Sequence, residues 1–337
     1  MAIIVQKFGG TSVATPETRD ALLHQVRKCK QEGNDVVVVV SALGRSGDPY
    51  ATDTLINILD KINPVIMPKK KDLLMSCGEI ISCALISHFL DTNNIPSEAL
   101  TGFQAGIITN NTFNNSEIIN IDTTIIENHL KDGKVVVVAG FQGITLNGEI
   151  TTLGRGGSDT GAVAIGAYLK AQRVDIFTDV LGIAKIDPRI VPLAPYISSI
   201  SYDDMYELAY LGAKVIHPRA VMTAQKFNIP VRVRSTFSDD MGTLISSEHT
   251  KNNHRIIGMV LEKEISYIID KEYPLGQISI IFDEKYKNEI QRDLQNFLSS
   301  NDLIVQDIVW SNNHVSILLP LNNIVETAQS LYAYYDE

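Results

Sequence analysis

Two uninterrupted runs of valine constrain what this chain can fold into. Val36–Val40 is five consecutive valines, and Val135–Phe141 begins with four more. A continuous β-branched run without polar alternation is typical of a strand covered on both faces, as in a parallel sheet. Ala2–Gln6 and Val174–Thr178 predict further short strands. Because predicted helices separate these strands, the pattern predicts an α/β sandwich with a mostly parallel sheet.

Composition limits the classes of protein to which the chain can belong. With 337 residues, about two domains are expected, and 45% hydrophobic and 20% charged residues are typical of a soluble globular protein. The net charge of −10 argues against a general nucleic-acid or membrane-binding role. Three scattered cysteines predict neither a disulfide framework nor a zinc site. No signal-peptide pattern or membrane-length apolar run occurs, so we predict a cytoplasmic protein.

A glycine-rich loop with one arginine precedes a predicted helix at Thr151–Leu169. Glycines allow backbone N–H groups to approach a ligand closely. The helix that follows directs its unpaired N–H groups at the same place. Arg155 adds a planar cation suited to a carboxylate or a phosphate. The stretch therefore predicts an anion site, although Ser158 or Asp159 acting only as an N-cap beside an ordinary turn remains an alternative.

One carboxylate lies in the middle of a predicted apolar helix, Asp72–Leu90. Glu79 would be buried there, and a buried glutamate almost always has a partner. Gly78, directly before it, indicates that another group approaches closely. Either Glu79 binds a cationic ligand, or it lies on an exposed stripe or pairs with a structural arginine.

Polar and glycine residues follow several predicted strands. In parallel sheets, ligands bind at the carboxyl ends of the strands. The sequence has no Walker A motif, no HRD or DFG kinase motif and no GxSxG. A site rich in cations and backbone donors but poor in bases favours phosphoryl transfer to an acceptor that is already ionised. The residues expected at this edge are Lys7, Ser41, Gly140, Arg155, Thr178 and Asp179.

The last 80 or so residues have a different pattern. A polar stretch, residues 246–255, predicts a linker. Ile257–Ile269 and Gln277–Ile281 predict strands, and Glu284–Leu298 predicts a helix. Val305–Trp310 and Val315–Leu319 predict a hairpin, followed by a final helix. This order predicts a small α+β unit with an interaction or regulatory role.

These motifs occur together, and in the same order, in one known family. The sequence resembles aspartate kinases, which are members of the amino acid kinase superfamily. The resemblance covers about 245 residues, and its GDPYATDTL segment is similar to the Bacillus-type enzyme of diaminopimelate synthesis. The matching blocks are VQKFGGTSV (Val5–Val13), VVVVVSALG (Val36–Gly44), GDPYATDTL (Gly47–Leu55), SCGEIIS (Ser76–Ser82), VVVAGFQG (Val136–Gly143), TTLGRGGSDT (Thr151–Thr160), FTDVLGIAKIDPR (Phe177–Arg189), LGAKVIHPRAV (Leu211–Val221) and VRVRSTFSDDMGTLI (Val231–Ile245).

The resemblance implies a fold and an activity. It implies the three-layer α/β/α sandwich of amino acid kinases over residues 1–245, a linker at 246–256 and an ACT-like regulatory or dimerisation domain at 257–337. It implies ATP-dependent phosphorylation of the β-carboxylate of L-aspartate, the first step towards lysine, threonine and methionine, with Mg²⁺ as cofactor. A homodimer is the implied assembly, with neither nucleic acid nor a membrane as partner.

The resemblance also implies residue roles. Lys7 and Asp159 would be catalytic, Arg155 would bind a substrate carboxylate, and Glu79 would bind the substrate ammonium. The other implied aspartate-binding residues are Thr52, Gly156, Gly157 and Ser158. The implied ATP-binding residues are Lys7, Phe8, Gly9, Gly10, Ser41, Ser158, Thr178, Asp179, Ala184, Lys185, Arg189 and Lys214.

Two departures from the family pattern keep alternatives open. Ala184-Lys185 stands where the family usually has an aromatic and a small hydroxyl residue, which removes a packing surface near the nucleotide. The C-terminal stretch has room for about one ACT unit instead of the usual tandem pair, so feedback inhibition by lysine is expected to be weak or absent. The alternatives are a catalytically weakened amino-acid sensor or regulatory subunit, and a kinase of glutamate or carbamate.

Overall fold

The structure is a computed structural model that describes residues 1–247, 255–263, 274–301 and 303–336. The strands in chain order are β1 (Ile3–Phe8), β2 (Asp35–Val40), β3 (Ser97–Leu100), β4 (Ile107–Thr109), β5 (Ile118–Ile121), β6 (Val135–Ala139), β7 (Gln142–Thr145), β8 (Ile150–Thr152), β9 (Arg173–Thr178), β10 (Ser199–Ile200), β11 (Val231–Ser235), β12 (Thr243–Ile245), β13 (Ile256–Glu262), β14 (Leu275–Phe282), β15 (Asp307–Trp310) and β16 (His314–Pro320). The helices are α1 (Gly10–Val13), α2 (Pro16–Gln31), α3 (Thr52–Ile62), α4 (Pro68–Thr92), α5 (Thr124–Lys131), α6 (Gly157–Tyr168), α7 (Tyr202–Tyr210), α8 (Pro218–Phe227), α9 (Lys287–Ser300) and α10 (Ile324–Asp336), with short 3₁₀ turns at Glu284–Tyr286 and Leu321–Asn323.

The main sheet has eight strands in the order β10-β12-β11-β9-β1-β2-β6-β3. Its neighbouring strands are parallel except for the pair β11 and β12. The two valine runs form the adjacent strands β2 and β6, and all their valines are buried. Burial of both faces therefore explains why these strands carry no polar alternation.

Helices cover both faces of this sheet. One face packs against α5, α6, α7 and α8, and the other packs against α2 and α4. Along β1 the side chains alternate between the two cores, with Val5 in the first and Ile4 and Phe8 in the second. The predicted three-layer α/β/α sandwich with a mostly parallel sheet is confirmed.

Several predicted boundaries were wrong. β1 continues to Phe8, so Lys7 and Phe8 belong to the strand and not to the turn that follows. The strand predicted to reach Phe141 ends at Ala139, because Phe141 has a φ of 68° in the left-handed region. Ile118–Ile121 forms β5, a strand that was not predicted from the sequence.

A second, smaller sheet carries the segments that flank the glycine-rich loop. Its order is β5-β4-β7-β8, with β4 and β7 parallel and the other pairs antiparallel. β8 ends two residues before Gly154-Arg155, so this sheet fixes where the loop begins.

The C-terminal part forms an antiparallel sheet in the order β13-β14-β16-β15. Helices α9 and α10 pack on one face of it around a separate core. The predicted hairpin is β15–β16, and the α+β character of this part is confirmed. Residues 264–269 of the predicted strand and residues 248–254 of the predicted linker lie outside the described residues.

Helix α4 is long and apolar enough to span a membrane by length and composition alone. Half of its most apolar window is buried inside the protein, where Cys83, Ile86 and Leu90 pack against the sheet. These contacts are those of a core helix, and α4 carries both Asp72 and Glu79 into the interior.

Asp72 anchors α4 to the second sheet. Its fully buried carboxylate accepts hydrogen bonds from the Asn114 N–H (2.9 Å), the Thr152 N–H (3.0 Å) and the Thr152 hydroxyl (2.6 Å). Burial raises the pKa of Asp72, against the opposing effect of these hydrogen bonds. One carboxylate thus fixes the loop before β5 and the strand before the glycine-rich loop.

We predict that Asp72→Asn lowers the free energy of unfolding by about 2 kcal/mol or more, because the new amide N–H₂ would face donors that need an acceptor. Urea unfolding followed by circular dichroism measures this change. Asp60→Asn, at an exposed position on α3, is the matched control and should change stability by less than about 0.5 kcal/mol. Equal effects of the two substitutions would contradict the anchoring role of Asp72.

Candidate active site

A cavity of about 570 Å³ opens at the carboxyl ends of β1, β2 and β6. The glycine-rich loop, the start of α3 and the middle of α4 complete its walls. Many residues predicted from the sequence meet in it: Lys7, Gly10, Ser41, Thr52, Glu79, Arg155, Gly156, Gly157, Ser158 and Asp159.

Lys7 and Asp159 form an ion pair inside this cavity. The Lys7 ammonium lies 2.6 Å from the Asp159 carboxylate, and both side chains are largely buried. Lys7 comes from β1 and Asp159 from the first turn of α6, so the pair joins the sheet to the helix. A lysine held in this way presents its charge at a fixed position, which suits the stabilisation of a transferring phosphoryl group.

The glycine-rich loop ends at Gly156, which precedes the first residue of α6. Gly156 has a φ of 68°, and a Cβ at this position would overlap the ring of His217. Only glycine therefore allows the loop to turn directly into the helix here. Ser158 and Asp159 lie in the first turn of α6, whose N–H groups have no partner within the helix. The predicted helix N-terminus is present, and it faces the cavity.

Glu79 lies at the inner wall of the cavity and is 2% exposed. Its Oε1 accepts a hydrogen bond from the Ala42 N–H at 3.1 Å. Its Oε2 is buried and has no hydrogen-bond partner among the described residues. Desolvation raises the pKa of Glu79 from 4.5 to about 8, opposed by the Ala42 hydrogen bond. The unpaired carboxylate in a ligand-sized cavity favours a cationic ligand over a structural partner.

The opposite wall contains the turn after Phe8. A Cβ on Gly10 would overlap the carbonyl oxygens of Ala42 and Gly44, so only glycine fits there. Ser41 follows β2, and Thr52 is the first residue of α3. Gly9 precedes α1 beside the Lys7 ammonium but does not line the cavity wall.

Phe8 does not present its side chain to the cavity. Its ring is fully buried and stacks on Phe177, with ring centres 4.6 Å apart. A contact of Phe8 with a nucleotide would therefore use backbone atoms only.

The predicted nucleotide residues Thr178 and Asp179 do not line the cavity, but Asp179 contacts a residue that does. The Arg45 guanidinium, which lines the cavity, is 3.1 Å from the Asp179 carboxylate. Thr178 donates a hydrogen bond to the same carboxylate at 3.1 Å. Both residues are therefore linked to the cavity wall through Arg45.

The remaining predicted nucleotide residues are not brought to the cavity wall. Lys185 is buried, and its carbonyl oxygen accepts a hydrogen bond from the Met259 N–H in β13. Ala184 packs against the C-terminal core. Arg189 is exposed and pairs with Asp187 at 2.6 Å, and Lys214 is exposed beyond the end of α7.

Sequence reasoning missed part of the cavity wall. Asn114 lines the cavity with a φ of 64°, and its buried Oδ1 has no partner in the described parts of the chain. Arg219 braces the glycine-rich loop by donating to the Leu153 carbonyl, and it also donates to the Asn115 side chain at 2.7 Å and to the Ser116 carbonyl at 3.0 Å. Two sequence features could have indicated these residues: the Asn114-Asn115 pair within a polar stretch, and the arginine directly after His217-Pro218.

The fold and this cavity define a small-molecule kinase that lacks the Walker motif. Residues 2–235 match the model of the amino acid kinase family, and the chain belongs to that family. Within it, the sequence groups with the aspartokinases. It is 42% identical to the aspartokinase of Geobacillus stearothermophilus over 338 residues, which span 99% of this chain and 79% of that protein.

Two further comparisons concern the family and the fold. Aspartokinase 1 of Bacillus subtilis is 49% identical over 250 residues, which span 74% of this chain and 62% of that protein. The crystal structure of Escherichia coli aspartokinase III in complex with aspartate and ADP superposes with a TM-score of 0.81. That alignment covers 99% of this chain and all of the other, and at 22% identity it supports the fold alone.

We predict that Glu79→Gln stabilises the unliganded protein at pH 8.5. In the folded state the Glu79 carboxyl keeps its proton up to about pH 8, whereas in the unfolded chain it ionises near 4.5. The folded state therefore binds more protons in this window, and its stability falls as pH rises. Glutamine stays neutral, so above pH 8 the free energy of unfolding of Glu79→Gln should exceed that of the wild type by about a few kcal/mol.

Urea unfolding of the wild type and Glu79→Gln at pH 5 and pH 8.5 measures this difference. The two proteins should be close in stability at pH 5, because Glu79 is then protonated in the folded wild type. A variant less stable than the wild type at both pH values would contradict the unpaired state of Glu79.

Proposed function

We propose that this chain transfers the γ-phosphoryl group of ATP to the β-carboxylate of L-aspartate, giving 4-phospho-L-aspartate. One observation carries the proposal: a buried, unpaired glutamate shares a cavity with an arginine and with the Lys7–Asp159 ion pair. Aspartate needs a partner for its ammonium and one for a carboxylate, and the transferring phosphoryl group needs a cation. The names of the aspartokinase relatives agree with this assignment of substrates.

The acceptor side of the cavity is assigned to Glu79, Arg155 and Thr52. Glu79 Oε2 would accept a hydrogen bond from the aspartate ammonium, which supplies the missing positive charge. Arg155 would bind the α-carboxylate of aspartate through its planar fork. Thr52, Ser158 and the backbone N–H groups of Gly156 and Gly157 would hold the remaining polar atoms of the substrate.

The donor side is assigned to Lys7 and to the turns that follow the strands. Lys7 would stabilise the charge that develops on the phosphoryl group, while Asp159 keeps the lysine in place. Gly9, Gly10, Ser41 and the start of α6 would bind phosphate oxygens. The further proposed nucleotide contacts are Phe8 through its backbone, Thr178, Asp179, Ala184, Lys185, Arg189 and Lys214.

The chemistry needs no general base. The β-carboxylate of aspartate is ionised at neutral pH, so its oxygen can attack the γ-phosphorus directly while ADP leaves. The protein's task is to bring two anions together and to neutralise the charge of the transition state. Lys7 does this at the phosphoryl group, and Arg155 does it at the acceptor.

The cavity can accommodate Mg²⁺ without a complete set of protein ligands. Mg²⁺ usually binds through one or two carboxylates plus substrate phosphates and water. Asp159 is a carboxylate at the cavity wall beside Lys7, although no group of three His, Cys, Asp or Glu ligands occurs among the described residues. When bound with ATP, Mg²⁺ would neutralise charge on the phosphates, and Asp159 is the residue assigned to hold it.

The assembly and the domain roles are parts of the same proposal. Residues 1–245 would be the catalytic domain, 246–256 the linker and 257–337 the ACT-like regulatory or dimerisation domain. We propose a cytoplasmic homodimer, as the resemblance to aspartate kinases implies.

Hydroxylamine trapping of the acyl phosphate tests the proposal. With ATP, Mg²⁺ and L-aspartate the protein should form aspartyl hydroxamate, and with L-glutamate or carbamate it should form little or no trapped product. Turnover of glutamate without turnover of aspartate would refute the substrate, and absence of turnover with all three would favour the regulatory alternative.

We predict that Lys7→Met lowers kcat by about 100-fold or more, since the phosphoryl group loses its fixed cation. A coupled assay of ADP release measures kcat. Lys69→Met is the matched control, because Lys69 is exposed at the start of α4 and pairs with Glu149. Its kcat should stay within about twofold of the wild type, and a Lys7→Met protein with wild-type turnover would show that the mechanism is wrong.

A further inference from the structure

A second cavity, of about 190 Å³, lies on the sheet face opposite to Lys7. Gln6, Asp175 and Arg232 form a row across β1, β9 and β11, since Gln6 pairs with Asp175 and Asp175 pairs with Arg232 in register. Arg173 and Arg234 lie two residues away on the same face. Helix α2 closes one side of the cavity through Gln25, Lys28 and Cys29.

The arginines of this cavity have unfilled hydrogen-bonding capacity. Arg234 is 7% exposed, and its buried Nε has no partner in the described parts of the chain. The buried Nε of Arg232 also has no hydrogen-bond partner among the described residues. The Arg234 guanidinium lies over the Phe177 ring, 5.4 Å from the ring centre. The hydrogen-bond contacts of the two guanidiniums are weak, at 3.4 Å from Arg234 to the Asp239 carbonyl and 3.8 Å from Arg232 to the Met241 sulfur. An unpaired buried N–H group destabilises the fold, and an anion close to these guanidiniums would offset part of that cost through its charge.

The charges around the cavity do not balance. Arg173, Arg232 and Arg234 line it together, and Asp175 is their buried carboxylate. Asp175 is bound by Arg173 at 2.9 Å. Lys28 pairs with Asp239 at 3.1 Å, and Glu32 is exposed at the rim. The buried part of the cavity therefore carries an excess of about two positive charges.

The direction in which the pKa of Arg232 shifts agrees with an excess of positive charge in the cavity. Burial lowers the pKa of the Arg232 guanidinium, and repulsion from Arg173 and Arg234 lowers it further, against the opposing attraction of Asp175. An arginine destabilised by like charges gains from an added anion.

We propose that this cavity is a binding site for a small dianionic oxyanion of the phosphate type, held by Arg232 and Arg234. Arg232 and Arg234 both line the cavity, two guanidiniums can bind the oxygens of a tetrahedral anion, and a dianion balances the excess charge. The site lies on the other side of the sheet from the Lys7–Asp159 pair and is independent of the proposed kinase reaction. The bound anion would connect β9 and β11 to β1 and α2 through electrostatic contacts.

Thermal unfolding of the full chain in inorganic phosphate tests this site. At low millimolar phosphate, Tm should rise by about 2 °C or more over sodium chloride of equal ionic strength, since a ligand of the folded state stabilises it. The rise should be lost in Arg232→Gln and in Arg234→Gln. Arg292→Gln is the charge-matched control, because Arg292 is 70% exposed on α9, and it should keep the full rise.

Phosphate bound in the first cavity must be distinguished from phosphate bound here. Lys7→Met removes the cation of the first cavity, so the phosphate-induced rise should persist in this variant. A rise that disappears in Lys7→Met but persists in Arg234→Gln would overturn the proposal. A rise of equal size in all variants would show general salt stabilisation and would also overturn it.

Two further measurements keep the proposal falsifiable even where the arginine variants fold poorly. Crystals of the wild type soaked in tungstate should show anomalous density within hydrogen-bonding distance of Arg232 and Arg234, and absence of density there would refute the site. Malonate in the same thermal assay tests dicarboxylates. A larger rise with malonate than with phosphate would refute the tetrahedral occupant.

Discussion

The unpaired carboxylate of Glu79 is the constraint around which the first cavity is arranged. Burial in the middle of α4 removes it from water, and one backbone N–H from Ala42 satisfies only Oε1. A purely structural glutamate would have a nearby cation, yet Lys7 is already paired with Asp159. The protein thus maintains a destabilised group at the place proposed for the substrate ammonium, as expected of a site in which substrate binding supplies the missing interaction.

The rest of the fold holds this carboxylate opposite the elements that we propose bind phosphate. Asp72 fixes α4 to the second sheet and thereby sets the distance between Glu79 and the glycine-rich loop. Arg219 braces the same loop from α8 through the Leu153 carbonyl, and Gly156 lets the loop enter α6 without a clash with His217. Residues far apart in the sequence are therefore held in one cavity by polar contacts that are themselves buried or half-buried.

Much of this could be predicted from the sequence because its signals are local. The valine runs of β2 and β6 indicate a parallel sheet, and glycine before a helix indicates an anion site. The parts that could not be predicted depend on contacts between distant segments. The Asn114 amide reaches the cavity only because Asp72 holds its backbone, and Phe8 points away from the cavity because it stacks on Phe177. Lys185 contacts β13, which no local pattern indicates.

Proton release on aspartate binding is the most direct test of the role proposed for Glu79. At pH 7 the Glu79 carboxyl of the unliganded protein is mostly protonated, since its pKa is about 8. Binding of the aspartate ammonium should lower that pKa and release close to one proton. Isothermal titration calorimetry in two buffers of different ionisation enthalpy measures this release. We predict close to one proton for the wild type and none for Glu79→Gln, and no release by the wild type, or equal release by both proteins, would contradict the proposed role.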